Sequence, residues 1–228
     1  MIPLSDSEAA RRLTPANTIL IAANLAVFAL EVRLGADAGR ALARFAMIPA
    51  FVSSAHDLAG EASVLATLVT SMFLHAGVLH VAGNMLYLFI FGPAVEERLG
   101  HLRFLAFYLI AGIVAGLATI AMAPAAQVAV IGASGAIAGV LGAYLVLFPG
   151  ARITTILPIF VFIQFVRIPA IFYLLLWFAV QLYAGLASGT AGPLVGGVAW
   201  WAHVGGFLFG VAAGPLLARR PKAPRRRR

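Results

Sequence analysis

At 228 residues the chain has room for one domain or one membrane bundle, and its composition, 62% hydrophobic and only 11% charged, lies outside the range of soluble globular domains. The lack of cysteine excludes disulfides and thiolate chemistry. The net charge of +8 invites a nucleic-acid partner, but seven of the sixteen basic residues lie between Arg219 and Arg228, after the last apolar stretch, where a basic run marks the cytoplasmic side and meets anionic lipid; no nucleic acid is expected.

In chain order, residues 1–16 form a short polar N-terminus with no signal-peptide pattern and no transit-type segment. Residues 17–217 hold six apolar spans: Thr18 to Leu34, Val78 to Val95, Phe104 to Met122, Ala133 to Phe148, Pro169 to Ala187 and Ala199 to Leu217. Residues 218–228 are a basic tail. The expected architecture is an all-α membrane protein, a six-helix bundle embedded in the lipid bilayer. With the N-terminus inside, thirteen basic residues fall on the inner side and three (Arg33, Arg40, Arg44) on the outer side, so both termini are expected in the cytoplasm. The short termini favour a bacterial inner membrane. A long first outer loop, from Gly35 to about Gly77, has two moderately apolar pieces, Ala41 to Phe51 and Ser63 to Phe73, expected as short interfacial helices.

Polar groups inside a membrane are costly and are functional candidates. Here they are His75, His80 and Asn84 at the start of span two, Ser134 at the start of span four, Gln181 within span five and His203 near the start of span six. Spans two, four and six run from outside to inside. His80, Asn84, Ser134 and His203 therefore reach one depth on one side from separate parts of the chain. His80 and Asn84 stand one turn apart on one helix face. Gln181 is read as a helix–helix contact.

Glycines recur every four residues after the polar group on two spans: Gly135 and Gly139, and Gly206, Gly210 and Gly214. Such faces let backbones approach closely, and would bring Ser134 and His203 together across the seam. Span four, at about 24 Å for sixteen residues, is shorter than a hydrocarbon core of about 30 Å, so Ser134 is expected below the outer surface. The apolar segment before it, Ala125 to Ile131, must then be lined by protein, because irregular backbone is not tolerated against lipid.

A serine hydroxyl becomes a nucleophile when a base takes its proton, and His203 is the candidate base. Spans four to six contain no carboxylate, which leaves a Ser134–His203 dyad. The oxyanion would be met by the Ser134 backbone N–H at a helix start and by Asn84 and His80, with Gly132 allowing close approach. No His-Glu-x-x-His pattern supports a metalloprotease, and Asp6, Asp37 and Asp57 all lie outside the spans, which argues against an aspartyl protease.

These residues resemble the rhomboid intramembrane serine proteases. Gly132-Ala133-Ser134-Gly135 is similar to their nucleophile motif, His80-Val81-Ala82-Gly83-Asn84 to their oxyanion-side motif, with His75 at the spacing often seen before it, and Ala202-His203-Val204-Gly205-Gly206 to their catalytic-histidine segment. Glu96-Glu97-Arg98-Leu99-Gly100 resembles the family's end of the second span. The resemblance implies no cofactor, no metal, and cleavage of transmembrane protein substrates in or near their membrane segments, often after a small residue. It also implies that span five and the loop after it gate substrate access. Two departures stand out: Ala66 and Thr67 replace a Trp-Arg pair of the first loop, and Ala138 replaces an aromatic residue that stacks on the catalytic histidine in many relatives. They point to a rival reading, a catalytically weak or inactive relative that binds transmembrane segments. A small transporter or channel would need broken helices and ionisable groups at mid-depth, of which only Gln181 is a polar candidate. The oligomeric state is open.

Overall fold

The computed structural model describes residues 1–8, 10, 13–54, 64–159, 162–188 and 199–219. Arg11 and Arg12, the tail from Arg220 onward and the loop following span five lie outside the described residues. The chain is mostly helical. Helix α1 spans Pro15–Leu34, α2 Ala38–Leu42, α3 Pro49–Ser53, α4 Thr67–Thr70, α5 Val78–Leu99, α6 His101–Met122, α7 Ser134–Leu147, α8 Ala170–Ser188 and α9 Trp200–Leu217. Five of them are long and apolar enough to cross a membrane: α1, α5, α6, α8 and α9.

The fourth expected span is α7, and it is shorter than expected, 14 residues or about 21 Å. Every residue from Gly135 to Tyr144 is buried. Helices α5, α6, α8 and α9 pack around it, so it meets protein rather than lipid along its length. A helix hydrophobic all round suits such a position. The seam with α9 is made backbone to backbone. A Cβ on Gly206 would overlap the Gly135 carbonyl oxygen, one on Gly210 the Gly139 carbonyl oxygen, and one on Gly142 the Phe207 carbonyl oxygen.

Helix α5 runs past the expected end at Val95, through Glu96-Glu97-Arg98 to Leu99. Gly100, at φ +90°, then turns the chain directly into α6. The charged segment stays helical because Glu96 has a partner in the core. Its carboxylate, fully buried, accepts the backbone N–H of Ala16 at 3.1 Å and of Asn17 at 2.6 Å, the orphan donors at the start of α1. A carboxylate there also meets the positive end of the helix dipole. His101 Nδ1 lies 2.5 Å from Glu96 Oε1 and completes the cluster.

The bundle carries one addition that an all-helical reading does not contain. Ile2–Asp6 (β1), Arg152–Ile159 (β2) and Phe162–Pro169 (β3) form an antiparallel sheet in the order β1-β2-β3. The β2–β3 hairpin pairs Ile153 with Ile168 and Thr155 with Val166, and β1 sets Ile2 against Ile156. The β-branched run Ile153-Thr154-Thr155-Ile156 fits a pleated surface better than a helix. The sheet joins the end of α7 to the start of α8, far from Ser134, and the Ala170 N–H donates to the Ala151 carbonyl at 2.8 Å where α8 begins.

In the described part of the first outer loop, Val64–Phe73 forms one short apolar helical stretch, as expected, whereas the Ala41 to Phe51 piece is divided between turns that continue α1 to Phe45 and the separate helix α3. The loop wraps the segment before Ser134. Met47 and Val130 exchange backbone bonds of 3.3 and 2.7 Å, Ala50 N–H donates to Ala126 O at 3.0 Å, and Gly132 N–H donates to Ser71 O at 2.9 Å. The irregular backbone before Ser134 is thus satisfied by other backbone, as an apolar surrounding requires.

Candidate active site

Ser134 is the first residue of α7. The N–H groups of a first helical turn have no intrahelical acceptor, so those of Ser134 and its neighbours point out of the helix end. His203 lies within the first turn of α9, on the face that meets α7. The two side chains touch: His203 Nε2 is 2.7 Å from Ser134 Oγ. Close packing of the glycine seam lets two side chains this short and this rigid meet.

The other ring nitrogen has a partner too. His203 Nδ1 lies 2.7 Å from Gln181 Oε1 on α8. An amide oxygen only accepts, so this contact fits the tautomer with the proton on Nδ1, in which Nε2 faces the serine hydroxyl as an acceptor. Gln181, read from sequence as a helix contact, is the residue that sequence reasoning did not connect to the site. Its signal was present, as the one deep polar side chain of an apolar span. Trp177, one turn earlier on α8, sets its ring 5.7 Å from the His203 ring at 38°, and Trp200 meets it edge-on at 6.4 Å and 88°. These groups from α8 and α9 hold the imidazole where the resemblance led one to look for an aromatic at position 138. Ala138 itself is fully buried against α9.

On the other side of Ser134 stand the α5 residues. His80 Nδ1 accepts the Ala76 N–H at 3.3 Å, so in the neutral ring the proton is on Nε2. That Nε2 lies 2.7 Å from where a Cβ on Gly132 would be, and Asn84 Nδ2 lies 3.6 Å from the same point. The Asn84 amide nitrogen is buried and has no protein acceptor. Two donors thus converge beside the segment that leads into Ser134. Gly132 has φ +117°, a conformation that excludes most side chains, and any Cβ would strike the His80 ring. Its own N–H is taken by Ser71, so Gly132 contributes space rather than a donor.

His75 lies outside these contacts and shapes the loop. Its backbone N–H is held by the Glu31 carboxylate at 3.0 Å, its Nδ1 donates to Phe73 O at 3.2 Å, and its ring stacks edge-on to His80 at 5.1 Å. Burial, with facing His80 as a lesser cause, pushes the His75 imidazole down to about 4, so it is neutral at physiological pH. Two threonine hydroxyls tie this part of the loop: Thr67 Oγ1 donates to Val64 O at 2.6 Å and Thr70 Oγ1 to Phe45 O at 2.7 Å. Among the described residues there is no group of three or more His, Asp or Glu side chains that could hold a metal. A narrow pocket opens beside Ser134, lined by small or apolar groups that include Met72, Gly112, Ala115, Val130 and Ala199.

The rhomboid domain family matches residues 62–220, which takes in α5 to α9 with Ser134, His203, Gln181, His80 and Asn84. The chain belongs to the rhomboid family and is an integral membrane protein. It is similar to two Bacillus subtilis proteins, YdcA (45% identical over 78 residues, 34% of this chain and 39% of that one) and rhomboid protease GluP (46% over 78 residues, 34% and 15%). It is also similar to RHOMBOID-like protein 6, mitochondrial, of Arabidopsis thaliana (33% over 156 residues, 68% and 45%). The match thus spans less than half the length of each of these relatives. Proteins of the family act on transmembrane substrates within the membrane.

Proposed function

We propose that this chain is an intramembrane serine endopeptidase that cleaves membrane-anchored proteins in or near their transmembrane segments through Ser134 and His203. The observation that carries the reading is the 2.7 Å contact between Ser134 Oγ and His203 Nε2. A general base must lie within hydrogen-bond reach of the proton it takes, and this one does.

The chemistry follows from that pair. His203 Nε2 takes the hydroxyl proton as Ser134 Oγ bonds to the scissile carbonyl carbon. The carbonyl oxygen becomes an oxyanion, met by His80 Nε2–H, by Asn84 Nδ2–H and by the free N–H at the start of α7. The carbon–nitrogen bond then breaks, and the leaving amine receives the proton from His203. Water, deprotonated by the same Nε2, attacks the acyl-enzyme and restores the serine with a carboxylate product. Donors already in place at the developing charge are the largest single source of rate in such reactions. A recessed α7 with a protein-lined end supplies a polar site beneath the outer surface where water and a membrane segment could meet. The reading extends to orientation, with both termini in the cytoplasm and the site at the outer leaflet of a bacterial inner membrane. An organellar membrane is the alternative that the mitochondrial relative supports.

The test is fluorophosphonate labelling of purified protein in detergent. Wild type should label, and Ser134→Ala and His203→Ala should not. A folded wild type that does not label would overturn the reading in favour of a relative that binds transmembrane segments without cutting them.

A further inference from the structure

The dyad needs its histidine in one tautomer. A neutral imidazole has one N–H, and if it sat on Nε2 the ring would offer Ser134 a donor in place of a base. Which nitrogen holds the proton is decided by the partner of the other. Spans four to six bring no carboxylate to that partner's place. What stands there is Gln181, 7% exposed, with Oε1 2.7 Å from Nδ1. The bond crosses from α8 to α9, and Trp177, four residues before Gln181, covers the same ring. Position 138 on α7 is a fully buried alanine and brings no ring to the histidine.

We propose that Gln181 is the positioning residue of the dyad: its amide oxygen holds the His203 Nδ1–H, sets Nε2 as the base toward Ser134, and steadies the imidazolium that forms during acylation. The inference rests on the protease reading above. It makes the alignment of the dyad depend on α8, a helix that carries neither the nucleophile nor the base. A neutral amide orients the ring as a carboxylate does but adds less charge stabilisation, so its loss should cost less than loss of a charged triad member.

The experiment compares fluorophosphonate labelling rates of wild type, Gln181→Met, Gln181→Glu and Ser134→Ala. Methionine keeps the length and removes the acceptor; glutamate keeps an acceptor. For Gln181→Met we expect the maximal labelling rate to fall about ten- to a hundredfold, with little change in the probe concentration at half-maximum. Gln181→Glu should recover most of that rate. Equal rates for wild type and Gln181→Met, with labelling still dependent on Ser134, would overturn the inference and leave the protease reading standing. No labelling of folded wild type would overturn both. Should Gln181→Met fail to fold, the ring 15N shifts of His203 in wild type decide: protonated Nδ1 supports the inference, and protonated Nε2 overturns it.

Discussion

Tyr144 donates its hydroxyl to Asp6 Oδ2 at 2.7 Å, which ties the N-terminal strand to the short helix whose opposite end carries Ser134. The bond lies at the junction of sheet and bundle, where the fully buried Tyr144 also packs its ring edge-on against Phe91 at 5.0 Å. Burial of the Asp6 carboxyl raises its pKa above the ordinary 3.8; the Tyr144 bond pulls the other way, and Glu8 adds to the rise. A folded-state pKa above the unfolded one means that the native state holds the proton more tightly. The stabilisation from this group is therefore complete below about pH 3.8 and is lost as pH rises through the folded value. Asp6→Asn keeps an acceptor for Tyr144 and removes the titration, so its thermal unfolding should be less sensitive to pH over the acid range than that of wild type. Tyr144→Phe leaves the carboxylate without its donor and should lower stability by about 1–2 kcal/mol at neutral pH. Thermal melts in detergent across pH check both, and a wild-type profile no steeper than that of Asp6→Asn would refute the assignment.

The α5 donors make a second expectation. Asn84→Ala and His80→Ala each remove a group aimed at the proposed oxyanion position, and each should lower kcat about a hundred- to a thousandfold with a much smaller change in KM. His80 also receives the Ala76 N–H, so its loss should loosen the loop and lower the melting temperature. Asn84 Nδ2 has no protein partner to lose. A large kcat loss at Asn84 with an unchanged melting temperature would separate chemistry from packing. Equal loss of both would assign Asn84 to structure alone.

How far the site was readable from sequence depended on what kind of information each residue carries. Ser134, His203, His80 and Asn84 stand out because a polar group in an apolar span is conspicuous, and span direction sorts such groups by depth. Depth says nothing about rotation, so Gln181 was visible as a polar group while its partner on the neighbouring helix was not. Glu96 was legible as part of a motif, but its targets at Ala16 and Asn17 lie 80 and 79 residues away, and no local pattern points to them. The sheet was hidden for another reason. Its hairpin falls between two spans, where a connecting segment is expected, and the β-branched residues 153–156 are what mark it as strand.

The glycine seam yields a third expectation. A methyl on Gly210 would overlap the Gly139 carbonyl oxygen and stand 2.9 Å from the Ala143 nitrogen, both backbone atoms that cannot step aside. Gly210→Ala should push α9 from α7, cost about 1–3 kcal/mol and reduce labelling of Ser134 at least tenfold. Gly83→Ala is the control, since nothing lies within 4 Å of its Cβ position. It should label as wild type does. If Gly210→Ala also labels at the wild-type rate, the dyad does not rely on close approach of these two helices.

Restoring an aromatic at Ala138 separates this chain from relatives that stack one there. The obvious expectation is a gain in activity, and the packing argues for the reverse. Ala138 is fully buried on the helix that α9 packs against, so a ring there must displace packed neighbours. The histidine is already covered by Trp177, from α8. Ala138→Tyr should therefore destabilise the protein by about 1–3 kcal/mol, as overpacking of a filled core does, and should slow labelling of Ser134. Trp177→Leu should slow labelling too, by loosening the ring that Gln181 orients. The informative variant is the double one, Ala138→Tyr with Trp177→Leu. If the two aromatic positions were interchangeable supports for His203, the double variant would regain the rate that Trp177→Leu loses. With α9 held against α7 by its glycines there is no room for that exchange, and labelling of the double variant should be no faster than that of Trp177→Leu alone.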